Sequence, residues 1–101
     1  MDEQEMVATF LRENDMEAPP AYRLLDLVSE VGEVAKGATE STDYGAAPAE
    51  VRVDADEIGD VLFSLLALAE SLDVDAGEAL AVAVAKYEER LSERGSASSG
   101  R

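Results

Sequence analysis

Apolar residues recur along this chain in four blocks, each at helical spacing. Met6, Val7, Phe10 and Leu11 share a face and predict a first helix over residues 2–14. Asn14 and Asp15 end it, and Pro19-Pro20 punctuate the link that follows. Leu24, Leu27, Val28, Val31, Val34 and Ala35 form one apolar stripe and predict a second helix from about Pro20 to Thr39, with Gly37 as its stop signal. The segment 41–48, STDYGAAP, reads as a loop. Pro48 suits the first turn of a third helix that runs to Leu72. From Ile58 to Ala69 that helix is apolar over most of its circumference, which predicts the most buried helix of the set. Asp75 is the expected N-cap of a fourth helix, with Glu78 three residues on as a loose capping box. Ala79, Leu80, Ala83, Val84, Tyr87 and Leu91 line the apolar face of this helix, which ends near Gly95. The tail 95–101, GSASSGR, is low-complexity and is expected to be disordered. No segment alternates as a strand would. The pattern therefore describes one all-α domain over residues 1–94, built as a four-helix bundle.

Charge changes this picture in two ways. The chain carries 23 acidic residues against 8 basic ones, a formal net charge of -15. Such a surface repels nucleic acid polymers and anionic membranes, so neither is an expected partner. It also repels itself unless salt screens it, which suits a halophilic, salt-rich cytoplasm. With 47% hydrophobic residues in periodic blocks, the chain reads as folded rather than disordered. A domain of 101 residues buries only a modest core, so homo-oligomerisation is expected. There is no cysteine and no histidine, which removes thiolate sites, imidazole ligands and the commonest general base. Any metal must be held by oxygen, and that favours Mg²⁺, with Mn²⁺ as a substitute. The first residues, MDEQEM, do not resemble a signal peptide. No apolar run approaches the ~18 residues of a membrane span, so a cytoplasmic location is the expectation.

On a helical wheel for the second helix with Glu30 at 0°, Glu33 falls at about 300° and Asp26 at about 320°, while the apolar stripe, counting Leu25, covers about 40° to 220°. Both glutamates therefore project on one side, with Glu30 at the stripe's border. On the third helix with Asp60 at 0°, Glu57 falls at about 60°, Ser64 at about 40° and Asp56 at about 320°. Asp60 thus marks the border between an acidic half, expected to be exposed, and an apolar half, expected to be buried. A carboxylate at such a border needs a partner, and the basic residues are too few to serve every acid. Two helices that each offer an i, i+3 acidic pair can present four carboxylates to one hard cation. Spacing alone is weak ground, because about five such pairs arise by chance in a chain this acidic. The bland reading is a set of solvated acidic faces, and it suffices for Asp2, Glu3 and Glu5 and for Glu88-Glu89.

The local sequence is more specific. The runs LLDLVSEVGEVAKG and DEIGDVLFSLLALAESLDVDAGEAL resemble the MazG family of nucleotide pyrophosphohydrolases. The family's ExxE, spacer, ExxD pattern is met by Glu30-Val-Gly-Glu33 and Glu57-Ile-Gly-Asp60, and the likeness spans roughly residues 20–92. The resemblance implies an all-α fold, dimers or tetramers, and Mg²⁺ held by Glu30, Glu33, Glu57 and Asp60. It implies cleavage of a (d)NTP to a (d)NMP and pyrophosphate, including the removal of non-canonical nucleotides. With no histidine, a carboxylate must take the proton of the attacking water, and Glu30 and Glu33 are the two candidates.

The same resemblance suggests Lys86 and Arg90, one turn apart on the fourth helix, as phosphate contacts, with Lys36 a weaker candidate. The competing reading is salt bridging to neighbours such as Glu89 and Glu93. A base pocket has to draw on Phe10, Tyr22, Phe63 or Tyr87, although a place in the core is the commoner role for each; Phe10 and Tyr87 are the substrate-binding candidates. Tyr44 sits in the loop that could close over a nucleotide. Gly32 and Gly59 each lie between the two acids of a motif, where close helix packing is one reason for a glycine. Two rival readings remain open: a nucleotide- or metal-binding module with little turnover, and a structural helical oligomer.

Overall fold

The computed structural model describes residues 2–94, and the expected tail at 95–101 lies outside them. Four α-helices follow one another: α1 (Asp2–Glu13), α2 (Pro20–Ser41), α3 (Ala55–Ser71) and α4 (Ala76–Arg94). No strand occurs among the described residues, and no helix there is long and apolar enough to cross a membrane.

Boundaries follow local chemistry. α1 stops where Asp15 takes a positive φ of 53° and the amide of Met16 donates to the Leu11 carbonyl. α2 opens on Pro20, as expected, but runs through Gly37 to Ser41. Gly37 costs some helix propensity without ending the helix, because packing against α3 outweighs a deficit of about 1 kcal/mol. Pro48 does not open the third helix. It starts a single 3₁₀ turn, Pro48–Glu50, and α3 begins only at Ala55. The stronger start signal is Asp54 as N-cap, whose backbone amide donates to Glu57 Oε1 at 3.1 Å, the reach-back half of a capping box. Asp75 caps α4 as expected, its Oδ1 accepting from the Glu78 amide at 3.0 Å.

The core is small and lies between α1 and α3. Val7 and Leu11 meet Leu66 and Ala67, with Phe63 and Ala76 packed against them. Phe10 meets Phe63 edge-on, ring centroids 5.8 Å apart. Gln4, only 8% exposed, fastens the N-terminus to the α3–α4 corner. Its Nε2 donates to the Val74 carbonyl at 2.8 Å and to Glu70 Oε1 at 3.2 Å, and its Oε1 accepts from the Ala76 amide at 2.8 Å. A buried amide with both ends satisfied fixes the direction in which α4 leaves α3.

α3 has more buried residues than any other helix, and its burial follows composition only in part: Leu66 and Ala69 are covered as expected. Ser64 is also buried, on the sector read as polar and exposed, and so is Ala67, which falls at about 340° between Asp56 and Asp60 on the same wheel. Ile58 (59% exposed), Leu62 and Leu65 lie open on the sector read as core. α2 behaves alike: Arg23 is buried while Leu24, Val28 (61% exposed) and Val31 are open. α4 has no buried residue, and Leu80 (57%), Val84, Tyr87 and Leu91 are all exposed. The radius of gyration is 16.6 Å, against about 13 Å for a compact domain of this length.

Candidate active site

α2 and α3 pack against each other as an antiparallel pair. Gly37 lies beside Glu57, since a β-carbon added there would meet Glu57 Oε2 at 3.8 Å, and Glu30 lies within electrostatic range of Asp60. On a wheel, the covered residues of α2 (Pro20, Arg23, Leu27, Glu30, Val34, Gly37, Ala38 and Ser41) fall within about 100° of one another. Glu30 is therefore on the side that faces α3, and it is partly buried there.

That position leaves Glu30 crowded by negative charge. Its pKa is raised above the ordinary value, first by partial burial and then by the charges of Glu33, Asp60 and Asp26. A folded-state pKa above the unfolded one means that the native protein holds this proton more tightly. The group's contribution to stability is then full below the unfolded pKa and is lost as pH rises through the folded one. In thermal melts of the metal-free protein across the carboxylate range, about pH 4 to 7, the Tm of Glu30→Gln falls less with rising pH than that of the parent. Parallel curves for the two proteins would contradict this.

Glu33 and Asp60 are exposed, so their carboxylates can turn without disturbing the core. Glu57 is half-buried, and one of its oxygens already serves the cap of α3. Asp26 is paired with Arg23, Oδ2 to Nη1 at 3.5 Å. Among the described residues, no three acidic side chains stand as placed in an arrangement able to hold one metal ion. The donor set is nonetheless that of a hard cation: all oxygen, mutually repelling and short of counter-charge. A Cβ at Gly32 or Gly59 would meet nothing within 4 Å, so close packing within the protomer does not account for either glycine.

The other candidates are distributed over α1, α2, α4 and the loop after α2. Lys36 is exposed on α2. On α4, Lys86 Nζ stands 5.2 Å and Arg90 Cζ 5.7 Å from the centre of the Tyr87 ring, so the three form a cation–π cluster. No hydrogen bond or ion pair joins these two cations to the acids of α2 and α3. Phe10 is half-exposed against Phe63, and Tyr22 and Tyr44 are open to solvent.

Two residues near the acids were not singled out by sequence. Arg23, 8% exposed, donates from Nη2 to the Met16 carbonyl as well as pairing with Asp26. It ties the α1–α2 link to the acidic face, and its place on the helix-facing sector at about 20° was the available signal. Arg52 lines a cleft of about 350 Å³ together with Gly37, Glu40, Ser41, Asp54 and Glu57. It gave no periodic signal, because it sits in irregular chain.

A comparison against protein families gives a match over the region that contains both acidic motifs. The model of the MazG nucleotide pyrophosphohydrolase domain matches residues 20–94, from the first residue of α2 to the last of α4. Neither the curated proteins nor the solved structures contain a match to this chain. Because the matched region covers α2, α3, α4 and both acidic motifs, the chain belongs to the MazG nucleotide pyrophosphohydrolase family.

Proposed function

We propose that the chain is a Mg²⁺-dependent nucleoside triphosphate pyrophosphohydrolase that converts a (d)NTP and water to a (d)NMP and pyrophosphate, non-canonical nucleotides being one substrate class. The observation that supports this most is the crowding of Glu30 by Glu33 and Asp60 at the α2–α3 contact, inside the matched region. Carboxylates left this close without counter-charge suit a site completed by a cation and its substrate.

Glu30, Glu33, Glu57 and Asp60 are the residues that would hold the cation, with Mn²⁺ able to replace Mg²⁺. A divalent ion there supplies neutralisation of phosphate charge and a polarised water. The chain's own part is to position these acids on two helices and to accept the water's proton. Glu30 is the better placed of the two candidate bases, because its raised pKa brings it nearer the working range of a general base. Lys86 and Arg90 from α4 complete the reading as phosphate contacts, Lys36 as a lesser one, and Tyr87 and Phe10 as surfaces for the base. Among the described residues no hydrogen bond or ion pair joins Lys86 or Arg90 to these acids, which fits a homo-oligomer in which subunits share sites.

The test is pyrophosphate release from a panel of canonical and modified (d)NTPs, at low and high KCl, with and without Mg²⁺. Release that needs Mg²⁺ is the expected result. Nucleotide binding without release at any salt concentration would instead favour a binding module.

A further inference from the structure

Between Lys36 and Lys86 the chain contains a single basic residue, Arg52. It stands in the irregular segment that joins α2 to α3, and both sides of it are anchored. Its own amide donates to Ser41 Oγ at 2.9 Å, at the last residue of α2. Ser41 is held in turn by its bond to the Ala38 carbonyl at 2.8 Å. Two residues after Arg52, the Asp54 amide donates to Glu57 Oε1 at 3.1 Å. The segment is thus fastened to the end of one helix and to a candidate metal ligand on the next.

Among the described residues, the guanidinium between these anchors makes no hydrogen bond and no ion pair. This is unexpected for a cation that shares its cleft of about 350 Å³ with Glu40, Asp54 and Glu57. Gly37, against which Glu57 rests, is one helical turn from Ser41, to which residue 52 is fixed, so the cleft opens beside the acids along the α2 axis. A polyphosphate approaching a chain of net charge -15 meets repulsion nearly everywhere. An unengaged arginine, with its fixed fork of donors, is the feature of this edge that suits a phosphate group.

We infer that Arg52 binds the outer phosphates of the substrate, the part that leaves as pyrophosphate. This rests on the pyrophosphohydrolase reading and adds to it a specific residue and a direction: the triphosphate runs from the acids toward the C-terminal end of α2, and the base lies the other way.

Calorimetric titration with magnesium pyrophosphate and, separately, with a nucleoside monophosphate tests this on the parent protein, Arg52→Ala and Arg52→Lys. The expected result is pyrophosphate affinity weakened about tenfold or more in Arg52→Ala, partly restored in Arg52→Lys, with monophosphate affinity unchanged. KM for the triphosphate rises by a similar factor while kcat changes less. If Arg52 merely balances nearby acids, Arg52→Ala shifts the melting temperature but leaves pyrophosphate affinity at the parental value, and the inference fails. The side chain is exposed, so the substitution tests binding rather than folding, and circular dichroism verifies this. A parent protein that neither binds pyrophosphate nor turns over any triphosphate overturns the pyrophosphohydrolase reading and this inference with it. Turnover by the parent with Arg52→Ala unaffected removes the inference alone.

Discussion

Glu33→Ala and Asp60→Ala each abolish pyrophosphate release while leaving the far-ultraviolet circular dichroism of the parent. Both side chains are exposed in the protomer, and neither makes a hydrogen bond that holds the fold, so truncation opens no cavity. What they remove is negative charge beside Glu30, which by itself relieves repulsion and raises the stability of the metal-free protein. Activity moves the other way, because an oxygen ligand is lost at the point where phosphate charge must be neutralised. A loss of about a hundred- to a thousandfold in kcat is the expected scale for one electrostatic contact to a reacting phosphate. Melts with and without Mg²⁺ supply a readout that needs no turnover: the parent gains stability by binding the ion in its folded state, and the variants gain little. Full activity in both variants would reject the four-acid site.

Leu65→Glu yields a monomer under conditions where the parent is an oligomer. On α3 the open residues Ile58, Leu62 and Leu65 span about 60° of the helix wheel, and on α2 Leu24, Val28, Val31 and Ala35 span about 60°. Each sector is displaced in the same rotational sense from the α2–α3 contact line. In an antiparallel pair this places both on one side, away from α1. A continuous apolar face of this kind is unusual for a monomer, whose exposed apolar residues are mostly scattered. A second copy is the occupant that needs nothing outside this chain, and burial of a glutamate in such a contact is costly. The partner carries the same net charge of -15, so association strengthens with ionic strength as screening shortens the range of repulsion. Sedimentation across a KCl series measures both effects. The parent rises from the protomer mass of 10.7 kDa to at least twice that value, and Leu65→Glu does not. A parent that stays at the protomer mass at every salt concentration would remove the oligomer and the shared sites together.

Much of the local architecture was legible in the chain. Apolar periodicity located all four helices, and Asp75 announced the cap of the last. The two acidic motifs, with their spacing, pointed to the family that the comparison supports. Errors came where one local signal competed with another. Pro48 looked like a helix start, yet Asp54 with Glu57 offered two hydrogen-bonding groups where proline offers only a fixed φ. Gly37 looked like a stop, yet the helix continued because its packed face continued.

The sequence by itself determined that this chain is all helical, that its acids come as two i, i+3 pairs, and that oxygen alone is available to bind a cation. Those properties depend on residue type and on spacing along one chain. Only the tertiary structure decided that Ser64 and Ala67 would be covered while Ile58, Leu62 and Leu65 stayed open, that α4 would leave the core with no residue buried, and that Arg52 would stand unengaged beside Glu57. A helix wheel gives directions relative to its own axis. Which direction meets a neighbour depends on where the other helices, and any second copy, come to lie.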